Sequence, residues 1–154
     1  MTRVYRILRK RYAKTPFDGE GAFRFGGRWS SPGTRLVYTS ERLSLAMIEY
    51  FIHIGSDDSP PDLVVATADI PESVSRTKIA ISRLRTDWRE SPAPPHLAAI
   101  GDSFVAKGKT AILIVPSVLC PPESNWLINP QHADFRRLRV NRSVAFSYDQ
   151  RFFD

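Results

Sequence analysis

The stretch TAILIVPSVL, Thr110–Leu119, constrains this chain more than any other. It reads as the most hydrophobic strand of the sequence. Pro116 sits inside it and has no N–H to give to a ladder. The strand should therefore bulge, end or lie at an edge there. LVVATADI (Leu63–Ile70) reads as a second buried strand. RVYRIL (Arg3–Leu8) and RLVYTS (Arg35–Ser40) read as two more, NWLINP as a short strand and turn, and FRRLRV and VAFSYD as the last two. Helical stretches fall between them. Glu41–Ile54 is the clearest, with Ser40 as N-cap and Gly55 as C-terminal stop. SDDSPPD then reads as a loop. Pro95–Gly108 is a second helix, with Pro95 tolerated near its start. ISRLRTDWRE is a short one, ended by SPAPP. Strands and helices mix without a regular βαβ period. That pattern argues for an α+β fold, one compact domain with a mixed β core and flanking helices, over a doubly wound sheet.

With 154 residues the chain can bury a real core without disulfides or metals. Its single cysteine, Cys120, allows no internal disulfide framework and points to a reducing, cytoplasmic setting. No apolar run approaches the roughly 20 residues of a membrane span. The basic start, MTRVYRILRKRYAK, lacks the apolar centre of a signal peptide. The 22 basic residues outnumber the 16 acidic ones and give a net charge of +6, which favours acidic partners without choosing among them.

The stretch GEGAFRFGGRWSSPG, Gly19–Gly33, poses the first chemical question. A dinucleotide fingerprint needs G-x-G-x-x-G between a strand and a helix. Gly19 and Gly21 fit, but Arg24 stands in the third position and a strand follows. No Gly-Lys-Ser/Thr is present, so a Walker loop is excluded as well. On spacing alone the segment is a basic, glycine-rich turn. Arg28, between Gly27 and Trp29, adds a planar fork that matches phosphate or carboxylate.

Four further observations concern chemistry. Glu49 lies in LAMIEYFI, a helix so apolar that it should be largely buried. A carboxylate there must be paired, protonated or functional, and an arginine or His53 one turn on could pair it. Tyr38 ends the strand before that helix, as a core tyrosine or within reach of Glu49. Ser117 follows Pro116, where a hydroxyl commonly bonds backbone. Cys120, His53, His96 and His132 show no zinc-type spacing, so no metal is expected, and no G-x-S-x-G elbow supports a serine hydrolase. FRRLRVNR could track a nucleic-acid backbone, but alternating arginines on an exposed strand face are the commoner explanation.

Taken together, VYRI, GEGAFRFGGRW with Gly33 after it, VYTSERLSLAMIEYFIH, VPSVLCPPESNWLINPQHADF and YDQRFF resemble the RES domain, the toxin of RES–Xre toxin–antitoxin systems. The resemblance runs from about Val4 to the C-terminus and makes 1–154 a single toxin domain. The arginine, glutamate and serine that name the family match Arg28, Glu49 and Ser117. Tyr38 and Arg6 match two further family positions. The resemblance implies a fold similar to ADP-ribosyltransferase toxins and an activity on NAD+, which is substrate and not cofactor. It implies cleavage by hydrolysis or phosphorolysis, or transfer of ADP-ribose to a protein. The partner it implies is an Xre-type helix-turn-helix antitoxin, through which any DNA contact would run. In that reading Glu49 stabilises the charged ribose, Tyr38 stacks on nicotinamide, and Arg28 and Arg6 hold the pyrophosphate or the adjacent ribose. Ser117 either bonds the nicotinamide amide or orients Glu49. The match departs at WRESPAPPHLAAIGDSF, where His96, Leu97 and Ala98 stand in place of a polar Ser/Thr-Gln pair. Two rivals remain: a ribonuclease-type toxin, which gives Glu49 no task, and a non-catalytic binding module.

Overall fold

The computed structural model describes residues 1–54 and 59–153. Eight strands form one sheet: β1 (Thr2–Arg9), β2 (Val37–Ser40), β3 (Leu63–Ile70), β4 (Arg76–Lys78), β5 (Ile112–Pro116), β6 (Ser124–Ile128), β7 (Arg139–Val140) and β8 (Val144–Phe146). Their order is β4-β5-β6-β2-β1-β3-β7, and β8 also pairs with β3. β4 runs parallel to β5, and the other pairings are antiparallel. Three α-helices flank the sheet: α1 (Glu20–Phe25), α2 (Leu43–Phe51) and α3 (Pro95–Lys107). This is the α+β architecture that the irregular strand–helix order requires. Among the described residues, no helix is long and apolar enough to cross a membrane.

Alternation along the strands sorts the core onto two faces. Val4, Ala66, Ile112, Ile114 and Ile128 pack together on one. On the other lie two separate clusters. Trp29, Trp88, Leu97, Leu113 and Leu127 gather beneath α3 and the glycine-rich segment. Ile7, Ala46, Leu63 and Tyr148 gather beneath α2 and the C-terminal residues. β1 and β2 pair at one position, Tyr5 with Ser40, whereas β1 pairs with β3 at eight. The two strands therefore part beyond Tyr5, between the two clusters.

Several expectations need correction. The glycine-rich segment is not a plain loop, since α1 occupies its first half. Ser40 is not an N-cap: it ends β2, and Arg42 stands at the cap without a side-chain bond. Gly55 and the first residues of SDDSPPD lie outside the described residues. Helix α2 is not buried all round. Leu45 and Ala46 face the sheet, but Ile48 is 44% exposed and Ile52 54%. ISRLRTDWRE forms only a 3-10 turn, Ile81–Arg83, and FRRLRV is a 3-10 turn followed by the two residues of β7. Pro116 ends β5, two residues past Ile114, the last position that β4 reaches. β4 itself carried no signal, because Arg-Thr-Lys has no apolar face.

Candidate active site

A cleft of about 640 Å³ opens where β1 and β2 part. Residues of β1, β2, α2, β6 and the glycine-rich segment line it, among them Arg6, Arg28, Tyr38, Glu49 and Asn125. Its volume suits a ligand of cofactor size. The fold thus brings four of the five candidate residues onto one cavity. The fifth, Ser117, lies behind the wall.

Glu49 projects from the half-buried side of α2. Its Oε1 accepts two hydrogen bonds, from Ser117 Oγ at 2.7 Å and Asn125 Nδ2 at 2.8 Å. Among the described residues, Oε2 accepts none. Neither an arginine nor His53 pairs with this carboxylate, which corrects both expected partners. Ser117 is fully enclosed. Its Oγ accepts the N–H groups of Leu119 at 3.2 Å and Cys120 at 3.1 Å. With both lone pairs taken, its one proton points at Glu49. Ser117 thus meets Glu49 and not the cavity, the geometry of the second expected role, orienting Glu49.

Arg28 and Trp29 form the tip of a tight turn closed by Gly27 N to Ser30 O at 2.9 Å. Trp29 is buried in the α3 cluster and anchors the turn. Arg28 reaches across to the carbonyls of Trp88 at 3.2 Å and Glu90 at 2.9 Å. Burial pulls its guanidinium down from its ordinary value, with nearby Glu49 acting the other way. An arginine so placed stays charged. Arg6 Nη1 donates to the Tyr38 carbonyl at 3.1 Å, where β1 and β2 have separated. Its Nε is buried without a partner, and burial likewise lowers its guanidinium. Arg3, Arg9, Arg24, Arg35 and Arg137 each face a carboxylate. Among the described residues, Arg6 and Arg28 face none within salt-bridge distance.

Tyr38 is tied down by its hydroxyl, which accepts Trp29 N–H at 3.1 Å and bonds Ser30 Oγ at 2.8 Å. Burial pushes that hydroxyl up to about 12, so it stays protonated near neutrality. The close fit explains one glycine. A Cβ at Gly27 would stand 2.6 Å from Tyr38 Oη. Helix α3 braces the same turn from behind. Asp102 Oδ1 accepts Ser31 N–H at 2.9 Å, and a Cβ at Gly101 would meet the Trp29 carbonyl oxygen at 1.6 Å. Leu97 is core, and His96 bonds Asp87. The stretch that departs from the family pattern therefore sends only Ala93 to the cleft.

Sequence reasoning missed Asn125. Its signal was a polar residue in a strand whose next three residues are fully buried, immediately after the Ser117 segment. FRRLRVNR supplies no residue to the cleft. Among the described residues, no cluster of His, Cys, Asp or Glu is placed to hold a metal ion.

The RES domain model matches residues 3–149. The chain is 32% identical to Toxin Res of Yersinia enterocolitica, over 96% of this chain and 97% of that protein. It is 31% identical to the Prs ADP-ribosylating toxin of a Sphingobium species, over 91% and 88%. The toxin–antitoxin complex MbcT–MbcA of M. tuberculosis contains a chain of the same fold. That match has a TM-score of 0.77 at 17% identity and covers 95% of this chain and 84% of the other. The chain belongs to the RES domain family, and it is a toxin of the toxin–antitoxin type.

Proposed function

We propose that this toxin binds NAD+ in the cleft and cleaves the bond between nicotinamide and ribose. One observation carries the reading: among the described residues, Glu49 keeps Oε2 free on the same cavity as two arginines with no carboxylate within salt-bridge distance. NAD+ has complementary charge, a pyrophosphate anion and a nicotinamide cation. Arg6 and Arg28 would take the anion, and the Tyr38 ring would meet the cation.

The chemistry then follows. Nicotinamide departs neutral and needs no proton from the protein. The ribose left behind carries oxocarbenium-like positive charge, as in glycoside cleavage. A carboxylate already aimed at that ring stabilises the charge with no reorganisation at the moment of reaction. Glu49 is held that way by two donors on its other oxygen. The acceptor of ADP-ribose is water or inorganic phosphate in this reading, and the outcome is loss of NAD+. A protein acceptor is the second reading, favoured by the name of the Sphingobium relative. The partner we propose is an antitoxin, supported by the complex in which the similar structure was solved, with an Xre-type helix-turn-helix as its expected form.

The test is purified toxin, free of antitoxin, mixed with NAD+, with and without phosphate. Glu49→Gln runs alongside. Gln keeps the shape and the acceptor for Ser117 and Asn125 but removes the charge, so turnover should fall by about a hundredfold or more. ADP-ribose as product names water, and its 1″-phosphate names phosphate. Undiminished cleavage by Glu49→Gln would refute the assignment. No cleavage by either protein, with label from NAD+ entering a lysate protein, would favour the transferase.

A further inference from the structure

Asn125 does more than line the cleft. Its Nδ2 donates to Glu49 Oε1 at 2.8 Å, while its Oδ1 accepts from Ser40 Oγ at 2.8 Å. Ser40 is buried at the end of β2, directly across the ladder from Asn125 on β6. The carboxylate only accepts, so it turns the amide NH2 towards Glu49, and the Ser40 hydroxyl, able to donate or accept, donates to the Oδ1 left on the far side. Reversing the amide would set its carbonyl against the carboxylate.

We propose that Asn125, tethered by Ser40, is a second positioning residue for Glu49, equal in kind to Ser117. Two donors reach one carboxylate oxygen from two different strand ends, β6 and the turn after β5. One donor alone leaves the carboxylate free to swing about that contact. Two donors on Oε1 fix the plane of the group and leave Oε2 as the oxygen that faces the ligand. The residue acts through Glu49 and so governs the rate of bond cleavage more than NAD+ affinity. This rests on the NAD+ reading for its kinetic consequence, but the contact itself does not.

Two variants and two readouts test it. Asn125→Ala removes the donor. Asn125→Asp keeps the shape and the Ser40 bond but turns the donor into a second acceptor beside Oε1. Removing a hydrogen bond to a charged group predicts a fall in kcat of about ten- to a hundredfold for Asn125→Ala, with KM within about twofold. Asn125→Asp should be worse than Asn125→Ala, because like charges then face each other. A merely packing role predicts the reverse order, since Asp fills the space and Ala does not. The second readout needs no NAD+. The side-chain amide resonance of Asn125 in an ¹H–¹⁵N spectrum should move in Glu49→Gln and in Ser40→Ala. An unmoved resonance in both would overturn the proposal even if NAD+ is cleaved. A moved resonance without any NAD+ cleavage would leave the contact standing and overturn the kinetic role. Equal kcat in the unaltered protein and both Asn125 variants would overturn it as well.

Discussion

Removing one oxygen atom, in Ser117→Ala, separates the site's stability from its chemistry. The hydroxyl makes three hydrogen bonds, at 2.7 Å to Glu49 and at 3.2 and 3.1 Å from Leu119 and Cys120. Two are neutral, each worth about 0.5–1.5 kcal/mol net, and the one to the carboxylate is worth about 1.5–3 kcal/mol. Partial re-solvation of the Leu119 and Cys120 amides reduces the sum, so about 2–3 kcal/mol of stability should be lost. For a domain of this size each kcal/mol moves Tm by about 2–4 °C, which puts the fall at about 4–12 °C. Glu49 keeps Asn125 but loses its shorter bond. With the carboxylate less well aimed, kcat should drop about ten- to a hundredfold while KM for NAD+ stays within about twofold. The assay pairs calorimetry with initial rates of nicotinamide release, taken at least ten degrees or so below the variant's Tm. If Tm falls and kcat does not, the hydroxyl only pins the turn after β5. A change confined to KM would mean that Ser117 shapes binding, contrary to its complete enclosure.

Three further outcomes test the scaffold. Gly101→Ala drives a methyl into the Trp29 carbonyl and should cost more than about 3 kcal/mol, read as loss of the cooperative thermal transition; a Tm within a few degrees of the unaltered protein would refute the bracing role of α3. Arg6→Ala should raise KM for NAD+ about tenfold or more, with a smaller effect on kcat, because it removes a cation that, among the described residues, has no carboxylate within salt-bridge distance; titration calorimetry with Glu49→Gln as background would give the same ranking. Acid should weaken the fold through two carboxylates. Asp69 is held down to about 2 by its bond from Arg3, and Asp134 to about 2 by the Ser75 N–H and hydroxyl. Both folded values lie below those of the unfolded chain, so their stabilisation is complete above about pH 5 and drains away from about pH 4 towards 2. Urea midpoints should fall across that window, and Asp69→Asn with Asp134→Asn should flatten the fall.

The strands that were legible are those with a packed face. LVVATADI became β3 over its whole length, and Pro95–Gly108 became α3 almost to the residue, because burial imposed a period on both. β4 was invisible for want of an apolar face, and FRRLRV misled because alternating arginines mimic a strand while the chain makes a 3-10 turn. Helix α2 was placed correctly but buried too deeply. Its apolar residues run all round, yet Ile48 and Ile52 stay exposed, and no single-helix pattern shows which neighbours are missing. In the site, Arg28, Tyr38, Glu49, Ser117 and Arg6 came from residue type and resemblance. What stayed hidden was connectivity. That Ser117 stands behind Glu49, and that Asn125 shares its oxygen, depends on the ladder that sets Ser40 opposite Asn125.

The arginines raise a question of their own, since two cations and a carboxylate on one cavity ought to collapse onto each other. Backbone carbonyls prevent it. Arg28 is drawn towards Trp88 and Glu90, and Arg6 is held at Tyr38, at the point where β1 and β2 separate. Glu49 meanwhile is held by neutral donors, a hydroxyl and an amide. Carbonyls satisfy a guanidinium's N–H groups without cancelling its charge, and neutral donors do the same for a carboxylate. A direct ion pair between Glu49 and either arginine would have been simpler to build and would have cancelled the carboxylate's charge and that of one cation. The glycine-rich segment serves that separation. Gly27 lets the backbone lie on Tyr38, Trp29 anchors the tip in the core, and Arg28 is left facing the cleft with its charge intact. The arrangement should therefore tolerate loss of either backbone-held arginine in folding far better than in binding, because neither is half of an ion pair whose partner would be left buried and uncompensated.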